Sequence, residues 1–450
     1  MKLRFLGAAG TVTGSKYLLT EGNQHLMVDC GLYQGVKNLR ERNWKALPMD
    51  PATVNAIVLT HAHIDHSGYI PALMKAGFHG KIYCTQATYE LCRILLPDSG
   101  FLQEEDAHYA NLKKFSRHSP ALPLYTEKEA LASLKLFEPI HFHEQIKIGE
   151  LKVEFRPAGH ILGSASVRVS SKEKSILFSG DIGRQQDLVM RPPEGIPQTD
   201  YLVVESTYGD RLHDSVDAYD YLAEIINKTF SRGGIVLLPS FAVGRTQTVL
   251  YIVERLKEQG RIPNVPVYLN SPMAISATET FCKHHKEHRL TKIDCEHIDR
   301  NTIFIRTAEE SMELNGQRFP SIIVSASGMA TGGRVLHHLK ALAPNHKNSI
   351  VFLGFQAPGT RGDAMVNGAK QVKIHGKYYP VNAEICHFDA LSAHGDYEDI
   401  LTWLGTAPTA PINTFITHGE STASDSLRTK IKERLGWRAC VPEHLDEVEL

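Results

Sequence analysis

The stretch LTHAHIDHSG, Leu59 to Gly68, places His61, His63, Asp65 and His66 within six positions, directly after an apolar run that ends at Leu59. In an extended segment, residues two apart project to the same side, so His61 and His63 present their imidazoles together. Asp65 and His66 follow where HSGYIPALMKAG turns into a helix. One short segment can therefore face two cations. A single histidine is more often a loop residue satisfying backbone groups, but H-x-H-x-D-H gathers more lone pairs than a polar loop can use. Nitrogen and carboxylate donors without thiolate suit zinc first, with manganese or iron as the alternatives. Two such ions need about seven or eight ligands, with a carboxylate and a water shared between them.

Working outward, the same pattern recurs. HLMVDCG stops at Asp29, LKVEFRPAGH at His160, KSILFSGD at Asp181, DYLVVESTYG at Glu205 and NTFITHGE at His418. Each is a short β-branched run, read as a strand, that ends on a side chain able to bind metal. Strands built this way gather those residues along one sheet edge, where loops carry chemistry. Taken singly, His160 is a loop histidine and Asp181 a turn aspartate before glycine; their weight comes from the set.

The chain has 450 residues, more than one core usually serves, so two or three domains are expected. With 42% hydrophobic and 22% charged residues the composition is that of an ordinary globular protein. A formal net charge of -1 excludes global attraction to nucleic acid or membrane, so any polyanion must be held by a local patch. Seven cysteines without a C-x-x-C pair argue against a disulfide framework or a thiolate zinc site and fit a reducing compartment. The amino-terminal MKLRFLGAAGTVTG is too short in apolar residues and too rich in glycine for a signal sequence, and no 18-residue apolar run occurs. The expectation is a soluble, cytoplasmic protein with no membrane partner.

Taken in order, GAAGTVTGSKYLL, VDCGLYQG, LTHAHIDHSG, PAGHILGSA, FSGDIG, ESTYGDR, PSFAVGRTQ, SASGMATGGR, LSAHGD and THGE resemble the motifs of the metallo-β-lactamase superfamily. Within it they resemble the β-CASP nucleases, the group that includes RNase J and the endonuclease subunit of the cleavage and polyadenylation factor. The resemblance spans almost the whole chain and implies an α/β fold: a metallo-β-lactamase αββα sandwich interrupted by an inserted α/β β-CASP cap. It places the sandwich in residues 1–206 and 386–450 and the insert in 207–385, with the active site in the cleft between them. The likeness is to the minimal bacterial-type form, so no extension is expected at either end. It implies two Zn²⁺ ions, one held by His61, His63, His160 and Asp181, the other by Asp65, His66, Asp181 and His418, with Asp29 orienting a ligand histidine. Asp65 thus counts as a catalytic residue as well as a ligand. Glu205, His394 and His418 match the three additional motifs of the group. DNA-processing relatives typically lack the last histidine, so its presence favours RNA.

The function implied is a zinc-dependent ribonuclease that hydrolyses single-stranded RNA by a two-metal mechanism, endonucleolytic with exonucleolytic trimming left open. His394, held by Glu205, is the candidate general acid for the leaving sugar oxygen. In the expected cap, SASGMATGGR follows an apolar strand and precedes the helical VLHHLKAL. Its Ser325, Ser327, Gly328, Gly332, Gly333 and Arg334 form a turn able to cradle a phosphate, with Ser240, Arg245 and Ser271 as further backbone-phosphate readers. FCKHHKEHRLTKIDCEH, Cys282 to His297, fits no zinc spacing and reads as a solvated helix face. A thioester or lactone hydrolase of the glyoxalase II type would share the histidines but lack the insert and the Glu205–His394 pair. A DNA-directed β-CASP nuclease is the other alternative. Oligomeric state is open, a homodimer being one option.

Overall fold

The computed structural model describes residues 1–114, 118–357 and 359–450, and the chain divides into two compact units, Met1–Leu212 with His394–Leu450, and His213–Ala393. The division falls a few residues beyond the expected 206 and 385. Strand Glu384–Phe388 belongs to the second unit because it pairs in parallel with Ser349–Leu353.

The first unit is built on two seven-stranded sheets. One orders Glu447–Glu449, Lys2–Phe5, Tyr17–Glu21, Gln24–Val28, Ala56–Val58, Lys81–Thr85 and Phe137–Ile140. The other orders Ala439–Cys440, Asn413–Thr417, Tyr201–Glu205, Ser175–Phe178, Ala165–Ser170, Leu151–Pro157 and Gln145–Ile148. Their inner faces meet in one core, in which Leu3, Phe5, Leu19, Val28 and Val58 of the first sheet join Val153, Phe155, Val167, Phe178, Val203 and Phe415 of the second. Leu151–Pro157 shows how the sequence does this: Leu151, Val153 and Phe155 alternate inward while Lys152 faces solvent. Truncating Phe155 to alanine would cost about 3–5 kcal/mol. On the outer face of the second sheet, Leu177, Leu202, Val204 and Ile416 pack against Ile400, Trp403, Leu404, Leu427 and Ile431, which lie on helices Tyr397–Leu404 and Ser421–Leu435. Helix Gln86–Lys113 lies on strands Lys81–Thr85 and Phe137–Ile140 of the first sheet. The layers are thus helix, sheet, sheet, helix.

Antiparallel pairing in each sheet gives way to parallel pairing on one side. Parallel neighbours end at the same edge. Val28, Val58, Phe178, Glu205 and Thr417 are all strand C-termini of this kind, which is why the polar residues that follow them converge.

The second unit carries a six-stranded sheet in the order Thr302–Phe304, Val267–Leu269, Ile322–Ser325, Val236–Pro239, Ser349–Leu353, Glu384–Phe388, with every pairing parallel. Its central strands are buried throughout, as expected for a sheet covered on both faces. Its helices include Arg245–Glu258 and Val335–Leu342. Among the described residues no helix is long and apolar enough to cross a membrane.

Candidate metal centre

Two close approaches of the backbone set the site. A Cβ on Gly31 would lie 1.5 Å from the Asp65 carbonyl oxygen, and one on Gly183 would lie 2.0 Å from the Gly159 oxygen. Only glycine lets the Asp29 turn close on the His66 turn, and the Asp181 turn on the His160 turn. The Cys30 amide donates to the His66 carbonyl at 2.6 Å, and the Ser15 amide to that of Asp65 at 2.9 Å. Asp29 and His418 both adopt left-handed backbone, at φ 56° and 49°, a conformation that costs a side-chain-bearing residue energy and is held here by surrounding bonds. One of these is the His418 amide donating to Ala8 at 2.7 Å.

Five of the seven expected ligands, all but His63 and Asp65, are buried, and all seven converge. His61 Nε2 lies 3.2 Å from His63 Nδ1, which lies 3.1 Å from His160 Nε2; Asp181 Oδ2 is 3.4 and 3.5 Å from His61 and His160. In the second group His66 Nε2 is 3.2 Å from both His418 Nε2 and Asp181 Oδ1, and Asp65 Oδ2 is 3.3 Å from His418 and 4.0 Å from His66. Asp181 offers one oxygen to each group. Four ligands at zinc–nitrogen bond lengths around a tetrahedron are separated by about 3.3 Å, which is close to the spacing of the first group; the second is looser, with Asp65 and His66 4.0 Å apart.

The hydrogen bonds behind the rings show what each nitrogen offers. Thr60 Oγ1 donates to Asp29 Oδ2 at 2.9 Å, so at 3.1 Å from His61 Nδ1 it accepts that ring's proton. His66 Nδ1 donates to Asp29 Oδ2 at 2.7 Å. Thr207 Oγ1 donates to the His418 carbonyl and accepts from His418 Nδ1 at 3.1 Å. In all three Nε2 faces the cluster and, with Nδ1 engaged behind the ring, is the nitrogen that would bind a metal. Burial, reinforced by the neighbouring His66 charge, pulls His61 down to about 3, and burial pulls His63 down to about 4. Burial also holds His160 well below its ordinary value. Neutral imidazoles with lone pairs this close repel unless a cation lies among them. The carboxylates supply the opposite sign: against the penalty of burial, Asp181 and Asp29 hold His66 well above its usual value. Asp181 Oδ1, buried, has no hydrogen-bond partner among the described residues. The donor set fits divalent metal, and proton bonding alone does not satisfy it.

Beside the first group stands His394, its ring 4.5 Å from that of His160. Its Nδ1 lies 3.0 and 3.2 Å from the two oxygens of Glu205. Glu205 is buried and fixed by the amides of Ile182 at 2.7 Å and Thr207 at 3.2 Å. His394 precedes a helix whose N-cap, Asp396, accepts from the amides of Glu398 and Asp399. Gly395 between them donates to the Ile182 carbonyl. Burial opposes charge on His394, but the Glu205 and Asp181 carboxylates outweigh it and raise the ring to about 9. Thr60, Thr207 and Ser164, whose hydroxyl accepts from the amides of His160 and Ile161, were not singled out by sequence. The signal available was their position next to a candidate ligand.

The expected phosphate readers lie in the second unit. Ser325 and Ser240 are buried and their single hydroxyl protons go to the Asn270 and Leu238 carbonyls, which leaves neither as a donor to an anion. Ser271 caps helix Pro272–Lys283. Arg334 donates to Asn270 Oδ1 and to the carbonyls of Ile305 and Arg306. Arg245 is buried close to Gly354. Ser327 is exposed in part, with its hydroxyl 3.0 Å from that of Thr331; Gly332 stands open, and Gly328 packs on Phe241. Gly333 takes φ 75°. The segment Cys282–His297 is not one solvated helix face. It ends one helix, turns, and begins another at Lys292, burying Cys295 and also His288, which stacks on Phe281 at 3.8 Å.

Residues 9–223 match the metallo-beta-lactamase superfamily, residues 246–365 the Beta-Casp domain, and residues 378–442 the Zn-dependent metallo-hydrolase RNA specificity domain. Ribonuclease TTHA0252 of Thermus thermophilus is 32% identical over 93% of both chains. The transcription termination factor FttA of Methanocaldococcus jannaschii is 28% identical over all of this chain and 72% of its own. A crystal structure of a protein of unknown function from Enterococcus faecalis shares the fold, with a TM-score of 0.58 at 14% identity, covering 100% of this chain and 99% of that one. The glycine-tight turns, the converging histidines and aspartates and this full-length likeness lead to one assignment: the chain belongs to the metallo-β-lactamase superfamily, in its β-CASP branch.

Proposed function

We propose that the protein is a zinc-dependent ribonuclease that hydrolyses phosphodiester bonds of single-stranded RNA, endonucleolytically and with trimming from an end as a second mode. The observation that carries this reading is the sharing of Asp181 between two donor groups, one oxygen to each, with the Glu205–His394 pair beside them. The first group would be completed by His61, His63 and His160, the second by Asp65, His66 and His418. When bound there, two Zn²⁺ ions supply an activated water and neutralise phosphate charge.

The chain's own residues do the rest. Asp29, Thr60 and Thr207 hold three imidazoles in one tautomer each. Glu205 accepts a hydrogen bond from Nδ1–H of His394, so the proton for transfer is the one at Nε2, donated to the leaving sugar oxygen; such general acid help is worth about 10²- to 10⁴-fold. Arg334 and Ser327 are the remaining candidates for a sequence-independent phosphate contact. RNA rather than DNA is favoured by the ribonuclease relative and by the matched RNA specificity domain. The test is digestion of one RNA labelled at either end beside matched single-stranded DNA and a thioester, with metal content measured in parallel. Internal fragments from RNA alone support the reading; turnover of the thioester while RNA survives would overturn it.

A further inference from the structure

Directly after the Asp29 turn, the segment Lys37-Asn-Leu-Arg-Glu-Arg-Asn-Trp-Lys45 carries Lys37, Arg40, Arg42 and Lys45 against the single acid Glu41, in a chain of net charge -1. It forms two short helical turns, Lys37–Arg40 and Glu41–Trp44. At their end Trp44 is 61% exposed, although an indole is among the side chains that gain most from burial. The chain has only two other tryptophans: Trp403 is buried, and Trp437 packs against the same core.

Trp44 is exposed but not loosely held. Its neighbour Asn43 is buried, and its side chain both accepts from the Tyr33 amide and donates to the Tyr33 carbonyl, each at 2.8 Å. Arg42 lies over the Tyr33 ring at 5.4 Å, and the Tyr33 hydroxyl donates to the Leu6 carbonyl at 3.0 Å. The turn is thereby fixed to the same strand end that carries Asp29. Asp29 to Tyr33 spans at most about 15 Å of chain, so the indole stands within roughly 25 Å of the metal-binding edge. Arg42, Lys16 and Lys45 act together on His444, whose ring meets Tyr33 edge-on at 6.4 Å and which is held below its ordinary value by burial and then by these cations; Lys37 pairs with Glu41 at 3.6 Å, and Arg40 faces the Asp106 carboxylate.

A pinned, solvent-facing aromatic among cations near a phosphodiesterase centre has the composition of a single-strand stacking platform. We infer that Trp44 stacks on a base of the RNA strand a few nucleotides from the reacting phosphate, with Lys45 taking a neighbouring phosphate without reading sequence. This rests on the ribonuclease reading.

The test uses the full metal-loaded protein and a short phosphorothioate oligoadenylate, which is cut slowly, with tryptophan fluorescence and affinity measured over a range of salt. The wild type should show quenching on binding. Trp44→Ala should abolish the quenching and weaken binding about 5- to 150-fold, the worth of one stacked base, with the salt dependence unchanged. Trp44→Phe should lose less affinity than Trp44→Ala. Lys45→Ala should lower the slope of log affinity against log salt by about 0.7, one phosphate contact on a single strand. If Trp44→Ala binds as tightly as wild type while RNA is still cut, the stacking role is overturned and the ribonuclease reading stands. If Trp44→Ala instead converts a dimer to monomer with affinity intact, the indole is a subunit contact and the inference is again overturned. If the wild type neither binds the oligonucleotide nor cuts RNA, both readings go together.

Discussion

Replacing Asp29 by asparagine changes one oxygen to an amide nitrogen in a site closed to water, and its consequence can be followed proton by proton. Asp29 accepts three bonds, from the Thr60 amide at 2.8 Å, the Thr60 hydroxyl at 2.9 Å and His66 Nδ1 at 2.7 Å. An asparagine of the same shape keeps the first through its oxygen and turns an NH₂ toward the other two. A protonated His66 Nδ1 would then meet another donor. The relief is for His66 to move its proton to Nε2, the atom 3.2 Å from Asp181 Oδ1 and 3.2 Å from His418 Nε2. There the proton occupies the lone pair that a metal needs. Loss of a carboxylate behind a ligand histidine costs about 10- to 100-fold in metal affinity, or about 1.4–2.8 kcal/mol. The volume is unchanged, so the fold should hold, and the group containing His61, His63 and His160 should keep its ion. Competition against a chromophoric chelator measures the affinity, and nitrogen NMR of the histidines reads the tautomer. Two ions bound as in wild type, with His66 still protonated at Nδ1, would refute the reasoning.

His394→Ala should retain metal and RNA affinity while losing about 10²- to 10⁴-fold in rate; on a p-nitrophenyl phosphodiester, whose leaving group needs no proton, the defect should shrink sharply, and an equal defect on both substrates would remove the acid role. Lys16 is buried with its ammonium 4.6 and 4.9 Å from the Tyr69 and Tyr33 rings, and burial lowers it from 10.5 to about 8. The unfolded chain therefore binds more protons between about pH 8 and 10.5, and stability gains from this group as pH rises through that window. Lys16→Met should accordingly be stabilising relative to wild type by up to about 3 kcal/mol more at pH 7 than at pH 11; denaturant melts at the two pH values that differ equally would contradict this. Arg334→Ala should raise the RNA concentration needed for cutting with metal content intact, and it should also destabilise the protein by about 1–3 kcal/mol because the Asn270 side chain and two carbonyls lose their donor, as read by thermal melts.

Most of the metal-binding edge was legible because a strand that stops at a polar residue announces itself in one dimension. Parallel pairing then fixes where that residue goes. Asp29, His61, Asp181, Glu205 and His418 all follow or end strands that share an edge. The rest depended on features without a periodic signature. Ser240 and Ser325 sit in motifs that look polar and accessible, yet all-parallel pairing buries their strands. Cys282–His297 carries a helix-like run of charge, but Thr291 caps a second helix through the amide of Asp294, which breaks the run and turns His288 inward. Lys16, just before strand Tyr17–Glu21, is enclosed by the packing of Tyr33 and Tyr69, which lie farther along the chain from it. Nothing about Trp44 in sequence distinguishes a core indole from one left outside.

Strand Tyr201–Glu205 pairs with Asn413–Thr417, and Thr207 reaches His418 across 211 positions of chain, most of which fold as the second unit. His66 meets the same histidine across 352. During synthesis, therefore, every other donor has left the ribosome long before His418 and its strand appear, and the contiguous second unit can fold in the meantime. The last donor is delivered only after the second unit has been made. A chain that stops short of residue 418 has no closed second donor group, so completion of that group waits on the synthesis of the entire second unit.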